Sequence, residues 1–224
     1  RGWLRRSSGL FEDDHGDTID DASLRALAVT EGPLTYTCAP PGSGTRMGID
    51  RDEDGALDGL DNCPASANPD QLDTDSDLAG NACDGDDDGD GLPDAVETNT
   101  HVFVSAIDTG TDPLLADTDA DGVGDGAETG TGVWNGPGDR GTNPVVADTD
   151  ADGWSDGIET NTGVFVGEQD SGTSPLLADS DADGRDDPLD NCGLIANPDQ
   201  LDTDGDLVGD ACDGDDDGEG LPDA

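Results

Sequence analysis

The sequence predicts an irregular, mostly coil fold with short β-strands, laid out as an elongated repeat array without a conventional hydrophobic core. Three observations predict it. Asp and Glu account for 56 of the 224 residues against 8 Lys and Arg, a formal charge of −48. Leu, Ile, Val and Phe together number 38 of 224, below the ~20% from which a chain builds a self-sufficient core. The acidic residues are also not scattered, because they recur in twelve-residue strings at fixed offsets. Charge of this sign excludes work on a phosphate backbone, so no nucleic-acid partner is expected. No run approaches the ~18 apolar residues of a membrane span, so no membrane insertion is expected either.

The strings begin at Asp50, Asp73, Asp86, Asp117, Asp148, Asp179 and Asp202, with an incomplete eighth at Asp215, giving start-to-start offsets of 23, 13, 31, 31, 31, 23 and 13. The order itself repeats at an offset of 129, where "DNCPASANPDQLDTDSDLAGNACDGDDDGDGLPDA" (61–95) matches "DNCGLIANPDQLDTDGDLVGDACDGDDDGEGLPDA" (190–224). Four segments follow: a non-repeat segment 1–49, a Cys-containing block 50–97, the 31-residue units 98–178, and a second copy of the first block, 179–224. The opening Arg1-Gly2-Trp3, without an initiator Met, reads as an internal fragment of a longer protein. Segment 1–49 carries one short helix, Asp21 to Val29, capped by Asp20 or Asp21, then a turn-rich "CAPPGSGTR". The 19-residue spacers of the 31-residue units each hold a β-prone run: Val102-Phe103-Val104, Gly132-Val133-Trp134 and Val164-Phe165-Val166. An apolar pair follows Pro113, Pro144 or Pro175, so each spacer reads as a small hairpin or wrap, too short to be stable alone.

Each string follows D-x-D-x-D-x-x-x-[DN]-x-x-[DE], the positions from which a twelve-residue loop turns side-chain oxygens onto a calcium ion. The first two strings offer Asp50, Asp52, Asp54, Asp58 and Asp61, then Asp73, Asp75, Asp77, Asn81 and Asp84. The third and fourth offer Asp86, Asp88, Asp90, Asp94 and Glu97, then Asp117, Asp119, Asp121, Asp125 and Glu128. The fifth and sixth offer Asp148, Asp150, Asp152, Asp156 and Glu159, then Asp179, Asp181, Asp183, Asp187 and Asp190. The seventh offers Asp202, Asp204, Asp206, Asp210 and Asp213, and the incomplete eighth Asp215, Asp217, Glu219 and Asp223. Loop position 7 serves through its backbone carbonyl, which leaves its side chain free; it is Ala56, Ala79, Leu92, Val123, Trp154, Arg185 or Val208. In all, 38 of the 56 acidic residues fall on such positions, a register that a solvated acidic tract would not keep. Repulsion among four or five carboxylates is costly until a divalent cation neutralises it. Hard oxygen donors on a flexible Gly-rich loop favour Ca2+, in at least seven sites, over zinc or magnesium. A sensor built on paired helices is excluded by the offset of 13, which leaves one residue between adjacent strings.

Five cysteines form no CxxC and no Cys/His cluster, which removes zinc ribbons and thioredoxin-type centres and leaves disulfides in an oxidising compartment. The simplest pairing joins Cys63 to Cys83 and Cys192 to Cys212, each across 20 residues and each worth roughly 3 kcal/mol by chain entropy. Cys38 is left free, paired outside the fragment, or intermolecular. "DNCPASANPDQLDTDSDLAGNACDGDDDGDG" resembles thrombospondin type 3 repeats, which alternate a Cys-containing loop with a "DxDxDG" loop. The resemblance covers 50–97 and 179–224 closely and 98–178 in the loops only. It implies an extended ribbon around a string of calcium ions with disulfides in series, and the longer spacers are similar to those of bacterial secreted and surface proteins. Leu78 and Leu207 stand at loop position 6 in place of the usual Gly, as in the family's Cys-type repeats.

No hydrolase elbow, phosphate loop or dinucleotide fingerprint is present, and His15 and His101 lie apart from any nucleophile, so no catalytic residue is expected. "EDDHGDTIDDA" (12–22) mimics a loop starting at Asp13, but its twelfth residue is Leu24, which argues against a metal site there. Trp3, Trp134 and Trp154 read as anchors of small cores. The expected protein is non-enzymatic and extracellular or cell-surface: a calcium-stabilised rod, stalk or head-to-tail filament in which metal replaces the missing apolar core. Two alternatives stand beside it. One is an adhesion module binding protein or glycan through Phe103, Trp134 and Phe165; the other is a spacer joined to a domain upstream of Arg1.

Overall fold

A computed structural model describes residues 2–35 and 37–221. Asp223, the last expected ligand of the incomplete eighth loop, lies outside the described residues. The chain divides into two units, one ending at Asp87 and the other beginning at Asp88. Most of it is coil; among the described residues the strands and α-helices lie in residues 2–49, and the acidic loops hold only the single 3-10 turns Asp125–Ala127 and Asp187–Leu189.

The first unit opens with a meander that the sequence did not announce. Strands β1 (Trp3–Arg5), β2 (Phe11–Asp13) and β3 (Thr18–Ile19) pair antiparallel in that order, with Leu4 opposite Glu12 and Phe11 opposite Ile19. Strands of two or three residues are too short to show alternation, so periodicity could not find them. Helix α1 (Asp21–Thr30) starts where expected, because the Asp20 carboxylate accepts the Ser23 amide at 2.7 Å and Arg25 reaches back one turn to Asp21 at 2.8 Å. The stretch read as turn-rich is a turn at Pro40–Ser43 followed by a one-turn helix α2 (Gly44–Gly48). Helix α2 packs on β1 through Gly44 and Gly48, whose faces meet Leu4. Phe11, Leu24 and Ile49 are buried here, a core of three large apolar side chains. After it come two acidic loops joined by the Cys63–Cys83 disulfide, with Cα atoms 5.7 Å apart.

The second unit holds the 31-residue repeats and ends on the Cys192–Cys212 disulfide, again with Cα atoms 5.7 Å apart. Its spacers are hairpin-like but are not strands, which revises the β-prone reading of the Val-rich runs. Asn99, His101 and Val104 donate to the carbonyls of Thr111, Gly110 and Asp108 at 2.8 to 3.0 Å, and the same three bonds recur 31 and 62 residues later. Only single bridges result, at Ser105–Asp108, Gly136–Asp139 and Gly167–Asp170. The reason is steric. Gly110, Gly141 and Gly172 take φ of +74° to +78° and press so close to Val102, Val133 and Val164 that a Cβ would fall 2.4 Å from a carbonyl oxygen. A left-handed residue at each of these points breaks the pleat, so a regular ladder cannot extend.

Candidate metal centres

The acidic strings are tight loops with one recurring internal hydrogen-bond pattern. In all seven complete loops the position-5 aspartate accepts the backbone N–H of position 7, from Ala56→Asp54 at 2.7 Å through Trp154→Asp152 at 2.7 Å to Val208→Asp206 at 2.8 Å. Position-1 carboxylates accept the position-6 amide: Gly122→Asp117 at 3.0 Å, Gly153→Asp148 at 3.0 Å and Gly184→Asp179 at 2.9 Å. Position 6 requires positive φ, which Gly55, Gly122, Gly153 and Gly184 supply at +99° to +115°. Leu78 and Leu207 adopt the same region at +85° and +82°, so the Cys-type loops keep the geometry and carry its strain on a side chain.

The expected ligands converge. Oxygens of Asp50, Asp52 and Asp54 lie within 4.8 Å of one another, as do those of Asp73, Asp75 and Asp77. Asp90, Glu97 and Asp125 also meet within that distance, although Asp125 belongs to the following string. The position-12 glutamates are buried, with Glu97, Glu128 and Glu159 at 5%, 2% and 0% exposure, as are the position-9 aspartates Asp125, Asp156 and Asp187.

Position 9 has a task that the sequence pattern did not reveal. Asp125 accepts the Thr118 amide at 2.9 Å and its hydroxyl at 2.6 Å, using both carboxylate oxygens to close its own loop. Asp156 does the same with Thr149, Asp187 with Ser180 and Asp210 with Thr203. The Thr or Ser at position 2 is therefore part of the site. Its signal was present as "ADTDADG" and "ADSDADG", where a hydroxyl recurs in the same column.

Successive 31-residue loops dock directly. Gly126 donates to Asp90 Oδ2 at 2.9 Å and lies so near the Asp90 carbonyl oxygen that a Cβ would come within 2.2 Å; Gly157 faces the Asp121 carbonyl in the same way, at 2.1 Å. In the first unit, Gly59 stands at the equivalent place and donates to the Asp14 carbonyl at 2.8 Å. The β2–β3 turn thus fills the position that a preceding loop would take. The series is interrupted at Pro188, which has no N–H to give.

Burial without a counter-charge pushes these carboxyls up. Glu128 and Glu159 rise to about 9, first because burial strips water from them and then because Asp121 and Asp119, or Asp150 and Asp152, add like charge. Glu97 and Asp119 rise to about 7, and Asp152 and Asp156 to about 6, all chiefly through burial. Buried oxygens of Asp52, Asp61, Asp119, Asp121, Asp150, Asp152 and Asp181, with one oxygen each of Glu97 and Glu159, have no hydrogen-bond partner among the described residues. Buried polar atoms in native proteins are almost always satisfied, and inward-facing carboxylate oxygens in this number are the set a cation would satisfy. Hard oxygen donors at several per loop fit calcium.

An acidic repeat protein with cation-binding loops is the class that this fold and these sites define. Residues 49–71, 72–98, 178–200 and 201–224 match the thrombospondin type 3 repeat, so these four segments are repeats of that kind. No curated protein matches the chain as a relative. Residues 99–177 lie outside the four matches while keeping the loop chemistry. The cysteines pair as expected, and Cys38 is a free, exposed thiol. No helix among the described residues is long and apolar enough to cross a membrane.

Proposed function

We propose that the protein is a non-enzymatic structural module of an extracellular or cell-surface protein, stiffened along its length by calcium ions bound in the acidic loops. The observation that carries this reading is the column of buried carboxylate oxygens without partners, repeated loop after loop where other proteins place oily side chains. In this reading positions 1, 3, 5 and 12 supply carboxylate oxygens and position 7 a carbonyl. Calcium supplies the charge that allows those groups to be buried together. Two disulfides suit an oxidising environment, and affinities of about 10⁻⁴ to 10⁻³ M would fill the loops outside a cell and leave them empty in the cytosol. A rod, a stalk or a head-to-tail filament of such modules are the roles that fit.

Chelation tests the reading. Protease resistance and the near-ultraviolet circular dichroism of the full chain should collapse in EGTA and return with millimolar calcium; a chain indifferent to EGTA refutes it. The adhesion alternative narrows to one residue. Phe103 packs over Gly130 and Trp134 stacks with Arg140, whereas Phe165 is 64% exposed. Phe165→Ala should abolish binding to a cell-surface protein or glycan if that alternative holds, and calcium binding should survive the change.

A further inference from the structure

The position-12 glutamates are not all held alike. In the first spacer the Thr111 hydroxyl donates to Glu97 Oε1 at 3.1 Å, and Thr109 Oγ1 lies 2.7 Å behind it and 3.0 Å from the Val96 carbonyl. Thr111 donating to Glu97 is the proton order that suits an ionised carboxylate, with the single Thr109 proton shared between the Val96 carbonyl and Thr111. In the third spacer Ser171 and Thr173 repeat the chain, with 2.6 Å between their hydroxyls and 3.0 Å from Thr173 to Glu159 Oε1. All four hydroxyl residues are buried. In the middle spacer the residue equivalent to Thr109 and Ser171 is Arg140. Its backbone N–H keeps the usual bond, to the Ala127 carbonyl at 2.9 Å, but its guanidinium leaves the relay, stacks on Trp134 and donates to the Asp156 carbonyl at 2.9 Å. Thr142, fully buried, is left facing Glu128 with no second hydroxyl behind it.

We propose that Thr111 and Thr173 are positioning residues that fix Glu97 and Glu159 in the ion-binding orientation, and that Arg140, by removing this support from Glu128, makes the Asp117–Glu128 loop fill with calcium after the Asp148–Glu159 loop. This rests on the calcium reading above. Groups behind a metal ligand set its orientation, and losing one typically weakens metal binding by about 10- to 100-fold. The arginine adds a positive charge near Asp121, which acts in the same direction. Loading of the array would then be ordered by a residue that touches no ion.

The position-6 amides of Gly122 and Gly153 report the two loops separately by NMR in the labelled full-length chain, titrated with calcium from a chelated start. Gly153 should reach its midpoint at lower calcium than Gly122. Thr173→Val should move the Gly153 midpoint upward by about 10-fold or more and leave Gly122 in place, and Thr173→Ser, which restores the hydroxyl, should return it. Arg140→Thr should lower the Gly122 midpoint, a gain that structural damage cannot mimic. Coincident midpoints in the unaltered chain, an unmoved Gly122 in Arg140→Thr, or a Ser variant as weak as Val would each overturn the inference. If neither glycine responds at millimolar calcium, the calcium reading itself falls and the inference with it.

Discussion

In the Cys-containing blocks the position-12 aspartates Asp61 and Asp190 are held by a glutamine, whereas the position-12 glutamates Glu97 and Glu159 are held by a threonine. Gln71 Nε2 donates to Asp61 at 2.9 Å while its Oε1 accepts the Asn62 amide at 3.1 Å, and Gln200 repeats both bonds with Asp190 and Asn191 at 2.8 and 3.2 Å. A disulfide closes that arrangement from outside the loop. The 31-residue repeats have no glutamine at the last ligand and no disulfide. A longer carboxylic side chain reaches into the cluster, and the return arm of the hairpin supplies the hydroxyl that meets it. The same acidic loop therefore tolerates two unrelated supports. What both preserve is a donor on one oxygen of the last ligand while another oxygen stays available.

Acidity should separate the loaded and unloaded forms of the 31-residue repeats most strongly. Glu128 and Glu159 at about 9, and Glu97 and Asp119 at about 7, hold protons more tightly folded than unfolded. A raised carboxyl contributes stability below its unfolded value and loses it as pH rises through the folded value. In chelator, therefore, hydrogen exchange at Gly122 and Gly153 should slow as pH falls from about 9 toward about 4.5. With calcium bound, protons compete for the same oxygens and the trend reverses. Identical pH profiles with and without calcium would break this account.

Reduction should split the two kinds of repeat next. Breaking Cys63–Cys83 and Cys192–Cys212 in the presence of calcium costs roughly 3 kcal/mol per Cys-containing block. Exchange protection of Gly80 and Gly209, which donate to the carbonyls of Asn62 and Asn191, should drop accordingly, while that of Gly132 and Gly163 in the hairpins persists. Equal losses in both sets would show that the blocks depend on one another.

A smaller effect belongs to the docking glycines. Gly157→Ala places a methyl group 2.1 Å from the Asp121 carbonyl oxygen and should destabilise by about 1–3 kcal/mol, read as a lower melting temperature in calcium. Gly214→Ala, with nothing within 4 Å of the added carbon, is the control and should change little.

The register of the loops was legible because ligands on alternate residues leave a pattern that needs no tertiary knowledge, and α1 was legible because Asp20 caps it locally. What escaped the sequence depends on partners far apart in the chain or on elements too short to repeat. Thr111 and Glu97 are 14 residues apart, and nothing at either position marks the other. The β1–β3 meander is stabilised by burying Phe11 beside Leu24 and Ile49, which no window of a few residues reveals. The Val-rich spacers mislead for the opposite reason. Their composition favours a strand, and a glycine eight residues onward, pressed against the same run, forbids one.

Because Gly126 meets Asp90 as Gly157 meets Asp121, a gene that loses the 31 codons between those contacts would present Gly157 to Asp90 and find the same neighbour waiting. Unequal crossing-over can therefore lengthen or shorten the protein without creating an unfamiliar junction, until it reaches Pro188, where the interchangeable units end.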